Sequence, residues 1–106
     1  MKEIHNGDFE REVLRAERPV LADFKAPWGG YCRRLAPVMD RLEKEYGDKI
    51  SFVGVDTDEN PALADEYGVD PIPTLILFRE GGVVGKFVNP PSQGDIVDWL
   101  TDKNAL

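Results

Sequence analysis

Apolar residues in this chain recur with two different periods, and the alternation between them lays out its elements. Val20 to Ala26, apolar apart from Asp23 and Lys25, reads as a buried strand. From about Gly30 to Tyr46 the period becomes helical, with Leu35, Val38, Met39, Leu42 and Tyr46 on one face. Pro37 lies inside that helix and removes one backbone donor, which predicts a kink; Gly47-Asp48 ends it. Ile50 to Val55, rich in β-branched and aromatic residues, predicts a second buried strand. Asn60 is placed to cap a short helix with Pro61 at its first position, carrying Leu63, Ala64 and Tyr67 and stopping at Gly68. Thr74 to Phe78 predicts a strand, Glu80-Gly81-Gly82 a hairpin turn, and Val83 to Val88 the returning strand. After the rigid loop Asn89-Pro90-Pro91, Ser92 and Asp95 form a capping box for a last helix bearing Ile96, Val97, Trp99 and Leu100. Ahead of the strand at Val20, Ile4 to Ala16 predicts a short strand and then a helix capped by Asn6 or Asp8. That helix carries Phe9, Val13 and Leu14 on one face, and Glu17-Arg18-Pro19 breaks it.

The order β-α-β-α-β-β-α implies an α/β domain, a mixed sheet covered by helices on both faces. The strands on either side of the long helix should be parallel, joined by a right-handed crossover. The hairpin after Thr74 adds antiparallel strands. At 106 residues the chain is expected to be a single domain, 1–106, large enough for a core without disulfides or metals.

Charge narrows the function. Thirteen basic and twenty acidic residues give a net charge of −7, which argues against nonspecific binding to nucleic acid or an anionic membrane. One cysteine rules out an internal disulfide and an all-cysteine metal cage within one chain, and no metal or other cofactor is expected. The polar start Met1-Lys2-Glu3 and the lack of a run of about 18 apolar residues make a cytoplasmic location the expectation.

That single cysteine, Cys32, lies in the first turn of the long helix, after a Gly-rich turn that follows a strand. Open α/β sheets place their sites at such turns. The stretch Val20-Leu21-Ala22-Asp23-Phe24-x-Ala26-x-Trp28-x-Gly30-x-Cys32-Arg33 resembles the active-site region of the thioredoxin family, whose motif reads Trp-Cys-Gly-Pro-Cys. Leu35-Ala36-Pro37 is similar to that family's helix, and Val55-Asp56 with Glu59-Asn60-Pro61 to its third strand and following loop. Tyr67-Gly68-Val69 and Ile72-Pro73-Thr74-Leu75 resemble its cis-proline segment. Order and spacing are kept over nearly the whole chain. The resemblance implies the thioredoxin fold and a lineage of protein-disulfide reductases acting in cell redox homeostasis.

Two departures alter what the resemblance implies. Gly29 stands where the family has its attacking cysteine, and Tyr31 where it usually has proline. A dithiol site uses an outer thiolate, stabilised at a helix N-terminus, to attack a substrate disulfide; the inner thiol then resolves the mixed disulfide. Cys32 matches the inner, resolving cysteine. It reads either as a small buried hydrophobe with an inert thiol, the favoured reading, or as a slow single-thiol nucleophile opened by Gly29-Gly30. Asp23 matches the family's buried aspartate, a proton acceptor with a raised pKa; a hydrated strand-end aspartate is the plainer reading. Gly54 stands where the family often has a lysine near that aspartate, and Lys25 is placed to replace it.

The resemblance further implies a cis bond before Pro73 and a groove for extended polypeptides formed by Trp28, Gly30, Tyr31, Ile72, Pro73, Val88 and Asn89. Packing over the turn is the plainer reading of Trp28 and Tyr31, and ordinary core that of Ile72 and Val88. Polypeptide substrates are the implied partners, with a thioredoxin reductase as a further one, and a monomer is expected. Normal dithiol turnover is not. Two alternatives stand beside this reading: an engineered Cys-to-Gly change in an active Cys-Gly-Tyr-Cys protein, and a non-catalytic peptide-binding module on the same scaffold.

Overall fold

The protein is described by a computed structural model covering residues 1–106. Five strands form one sheet: β1 (Lys2–Glu3), β2 (Val20–Lys25), β3 (Ser51–Asp56), β4 (Thr74–Arg79) and β5 (Gly82–Val88). Three α-helices accompany them: α1 (Gly30–Tyr46), α2 (Pro61–Glu66) and α3 (Gln93–Asp102). The sheet order is β1-β3-β2-β4-β5. β1 and β2 run parallel to β3, whereas β4 is antiparallel to β2 and to β5. This is the mixed sheet with helices on both faces that the thioredoxin fold requires.

Because side chains alternate across a strand, β2 supplies both faces of the sheet. Val20, Ala22 and Phe24 join Ile4, Phe9, Val13 and Leu63 in one core, beneath the N-terminal segment and α2. Leu21 faces the other way, with Leu35, Met39, Leu42, Ile96 and Leu100 of α1 and α3. Asp23 shares the parity of Leu21 and so lies on the α1 side of the sheet.

Glu80 and Gly81, at φ 53° and 80°, make the two-residue turn between β4 and β5; both angles are positive, as a type I′ hairpin turn demands. Opposite Leu77 and Phe78 the register slips, leaving Val84 as an extra residue in β5. Ser92 caps α3 as the sequence indicates. Its Oγ accepts from the Asp95 N–H at 3.1 Å and donates to the Asp95 carboxylate at 2.9 Å. The long helix continues through Pro37 to Tyr46.

The N-terminal segment departs from expectation. The first strand is Lys2–Glu3 rather than a strand beginning at Ile4, and it is followed by a 3-10 turn (Asn6–Asp8) and one turn of π-helix (Glu10–Leu14), not an α-helix. The Arg15 N–H donates to the Glu10 carbonyl five residues back. Phe9 and Val13 are four apart, and over so short a segment either winding puts them on one face. Neither Asn6 nor Asp8 caps it; Asp8 instead accepts from Arg11 at 2.9 Å.

Asn60 is likewise not a side-chain cap for α2. Its buried amide is a strap between two loops. Oδ1 accepts from the Asn6 N–H at 2.9 Å, while Nδ2 donates to the carbonyls of Asp56 at 2.9 Å and Ile4 at 3.4 Å.

Candidate functional site

The site forms where β2 gives way to α1. Gly29 is the residue before the helix and makes no side-chain cap. Its N–H donates to the Ala26 carbonyl and its own carbonyl accepts from the Arg33 N–H, each at 3.1 Å. These backbone bonds hold the turn together with the Arg33 guanidinium, which donates to the Pro27 carbonyl at 3.1 Å. No acidic residue occupies the first turn of α1, but Arg33 and Arg34 do lie near that end, where the helix dipole disfavours cations.

Gly29 and Cys32 touch. A β-carbon on Gly29 would lie 2.9 Å from the Cys32 sulfur and 3.3 Å from its β-carbon, so the thiol rests in the place a side chain at 29 would need. Cys32 is buried and free. It lines a cleft of about 170 Å³ with Lys25, Ala26, Pro27, Arg33, Ala36 and Asp56.

Asp23 pairs in register with Gly54 of β3 and Leu75 of β4 and is 1% exposed. Its Oδ1 has no hydrogen-bond partner. Burial raises its pKa to about 7; the Lys25 charge opposes the rise and the Glu3 charge adds to it. Lys25 therefore does act on Asp23, but its ammonium is bonded 2.9 Å from the Glu3 carboxylate. The pair sits over Gly54, where a β-carbon would meet Glu3 Oε2 at 2.5 Å and Lys25 Cε at 2.8 Å. A longer residue at 54 would therefore displace the ends of both side chains from these positions.

Trp28 is 65% exposed, so it is not packed away over the turn. Its indole N–H donates to Asp58 at 2.6 Å, and the loop bearing Asp58 is shaped by Asp56, whose Oδ1 accepts from the Asp58 and Glu59 N–H groups. Sequence reasoning missed Asp58. The available signal was the aspartate ending β3, two residues earlier, which favours an Asx turn.

The remaining predicted residues converge from the other side. Tyr31 donates its hydroxyl to the Pro90 carbonyl at 2.5 Å, and the Asn89 N–H donates to the Pro73 carbonyl at 3.0 Å. Asn89 sits at φ 47°, a left-handed conformation that asparagine tolerates. Thr74 pairs with Val88 in the sheet, and its hydroxyl closes the Pro71–Pro73 loop by donating to the Pro71 carbonyl at 2.7 Å. The Ile72–Pro73 bond is cis. Neither backbone polar group of Ile72 has a backbone partner, and the residue is half-buried. Val88 is 46% exposed, so it is surface rather than core. Gly30 is exposed at the start of α1.

Chemically, this arrangement offers one sheltered thiol, one buried carboxyl with a raised pKa, and an apolar rim with free backbone groups. No three His, Cys, Asp or Glu side chains converge as a metal site would require. No helix is long and apolar enough to cross a membrane.

The sequence model of the Thioredoxin family matches residues 1–102. Among curated relatives, "Thioredoxin 1" of Synechococcus elongatus is 47% identical over 97 residues, covering 92% of this chain and 91% of the relative. "Thioredoxin 1" of Nostoc sp. is 46% identical, covering 81% and 80%. "Thioredoxin" of Pyropia yezoensis is 43% identical over 100 residues, covering 94% of each chain.

Proposed function

Because this chain belongs to the thioredoxin family, we propose that it is a single-domain, peptide-binding member of the disulfide oxidoreductase lineage in which the dithiol cycle is interrupted at Gly29. The observation that carries this reading is the contact between Gly29 and the Cys32 sulfur. The sheltered Cys32 thiol and the buried Asp23 carboxyl beside this turn support a reading in which the site lacks one sulfur.

The consequence follows from the chemistry of exchange. In a dithiol cycle, the outer thiolate attacks a substrate disulfide and forms a new S–S bond while expelling one substrate thiolate. The inner thiolate then attacks that mixed bond and expels the second, leaving an internal disulfide that takes away two electrons' worth of oxidation. With Gly29, the first step has no attacking group and the second has no partner sulfur. Cys32 alone, its proton passed to Asp23, can at most attack a substrate disulfide through its cleft, which breaks that S–S bond, expels one substrate thiolate and stops at the mixed disulfide.

Binding does not depend on the missing sulfur. The exposed Trp28, the free backbone of Ile72 and the exposed Val88 support an extended polypeptide added as a strand at this rim. We place the protein in the cytoplasm as a monomer, with polypeptides as its partners and a thioredoxin reductase as a candidate partner of the lineage. Insulin reduction driven by dithiothreitol tests the catalytic part. The protein should leave the rate at the background of dithiothreitol alone, and turnover like that of a dithiol protein would refute the reading.

A second reading is favoured by the same contact: Gly29 replaces a cysteine of a working Cys-Gly-Tyr-Cys reductase, since the turn still has the shape such a pair needs. If the fold serves instead as a non-catalytic module, restoring a cysteine at 29 would give a folded but inactive protein.

A further inference from the structure

The acids of the site, Asp23, Asp56 and Asp58, lie under the turn or on its Trp28 side, and the segment that opens α1 carries none. Between Asp23 and Asp40 the chain carries Lys25, Arg33 and Arg34 and no carboxylate, although its net charge is −7. The flanking stretches Pro71 to Pro73 and Val88 to Ser92 add no charge. Lys25 is neutralised by Glu3, but exposed Arg33 and Arg34 form no ion pair within the molecule. Both lie at the helix end that attracts anions, so a carboxylate brought from outside would meet two cations and the dipole together.

Beside Arg34 a cleft of about 230 Å³ opens between α1 and the loop after β5, with walls of Leu35, Val38, Pro90 and Pro91. Tyr31 lines it too, fixed by its bond to the Pro90 carbonyl. The Arg34 guanidinium stands 5.1 Å from the centre of the Tyr31 ring, which holds its charge at the mouth of the cleft. Tyr31 and Asn89-Pro90 connect this cleft to the rim formed by Ile72, Pro73 and Val88.

We infer that the cleft and the two arginines extend the peptide groove, and that the segment it takes is an extended polypeptide with acidic residues beside an apolar one. This rests on the reading of the Trp28, Ile72 and Val88 rim as a peptide groove. The apolar side chain fills the cleft between Val38 and Pro91, and the carboxylates meet Arg34 at its mouth and, across Gly30, Arg33, which lines the neighbouring Cys32 cleft and donates to the Pro27 carbonyl. A polypeptide fits better than a nucleic acid. The free N–H and C=O of Ile72 match the N–H and C=O of an extended peptide backbone, which a nucleic acid lacks.

The test is an NMR titration of the whole protein at low salt with acetyl-Glu-Glu-Leu-Val-Val-Ala and, separately, acetyl-Lys-Lys-Leu-Val-Val-Ala. The acidic peptide should shift Trp28, Ile72 and Val88 together with Arg34 and Val38. It should bind about fivefold more tightly than the basic one, with the difference closing in roughly 0.5 M salt. Arg34→Glu, confirmed as folded by circular dichroism, should reverse the preference. Equal binding of the two peptides, or an unchanged preference in Arg34→Glu, would overturn the acidic selectivity while leaving the groove intact. If neither peptide shifts Trp28, Ile72 or Val88, both the inference and the groove fail. Tighter binding of an oligothymidylate than of the acidic peptide, at the same residues, would assign the surface to nucleic acid and overturn the inference.

Discussion

The sulfur of Cys32 lies 2.9 Å from the point where a β-carbon on Gly29 would stand. In a disulfide, each sulfur lies about 3 Å from the β-carbon of the other residue, given an S–S bond near 2.03 Å. The separation of 3.3 Å between the two β-carbon positions falls just below the usual range of about 3.5–4.5 Å. The backbone at Gly29 thus holds Cys32 nearly as a bridged partner would be held, with hydrogen in place of the second CH₂–S arm.

That placement leaves the thiol little room. Cys32 is 4% exposed, and its access is the cleft lined by Pro27, Arg33 and Ala36. Alkylation by iodoacetamide should be at least about tenfold slower in the native protein than in denaturant, as expected of a sheltered thiol. Equal rates, once corrected for the reactivity of a free thiol, would show that the Gly29-Gly30 turn leaves the sulfur open, and the single-thiol nucleophile would gain.

Asp23 makes a second expectation, about pH. Its folded pKa of about 7 lies above the ordinary 3.8, so the folded state holds its proton more tightly than the unfolded chain. Its contribution to stability is fully present below the ordinary value and is lost as pH rises through about 7. Asp23→Ala should therefore stabilise the protein at pH 8 by up to about 4 kcal/mol more than at pH 3. Urea unfolding across this range measures it. A variant whose stability relative to the parent does not change with pH would mean that Asp23 titrates as a hydrated carboxylate.

The ion pair over Gly54 gives a third. Glu3 raises the Asp23 pKa through its charge, and it also engages the ammonium of Lys25, whose charge lowers it. Glu3→Gln removes the first effect and releases the second, so both changes act in one direction. The Asp23 carboxyl carbon, followed by NMR titration, should titrate below the parent's value of about 7. An unchanged or higher midpoint would show that the pair does not control Asp23.

Much of the scaffold could be read from local pattern. The bounds of α1 follow from its helical period, the β4–β5 turn from Glu80-Gly81-Gly82, and the α3 cap from Ser92 and Asp95, because each signal lies within a few residues. What sequence missed is held by partners far apart in the chain. Asp58 bonds Trp28 across 30 residues, Glu3 bonds Lys25 across 22, and Tyr31 reaches Pro90 across 59. Asn60 shows the same limit from the other side. Its position before Pro61 suits a cap, yet its amide serves Asn6, Asp56 and Ile4 because β1 and β3 run side by side. No period or cap signal encodes such a pairing. The positions of Gly29, Cys32, Asp23 and Pro73 were legible through family resemblance, whereas the contact between Gly29 and the sulfur required the fold.

The most direct test of the interrupted-site account is the insulin-reduction rate of Gly29→Cys, with dithiothreitol as reductant and the unaltered protein as control. The account predicts a folded variant that forms a 29–32 disulfide on mild oxidation and raises turnover at least about a hundredfold over the control, roughly 3 kcal/mol of activation free energy. A folded variant that forms no such disulfide, or forms it and still leaves insulin at the control rate, would contradict the claim that one sulfur is all the site lacks.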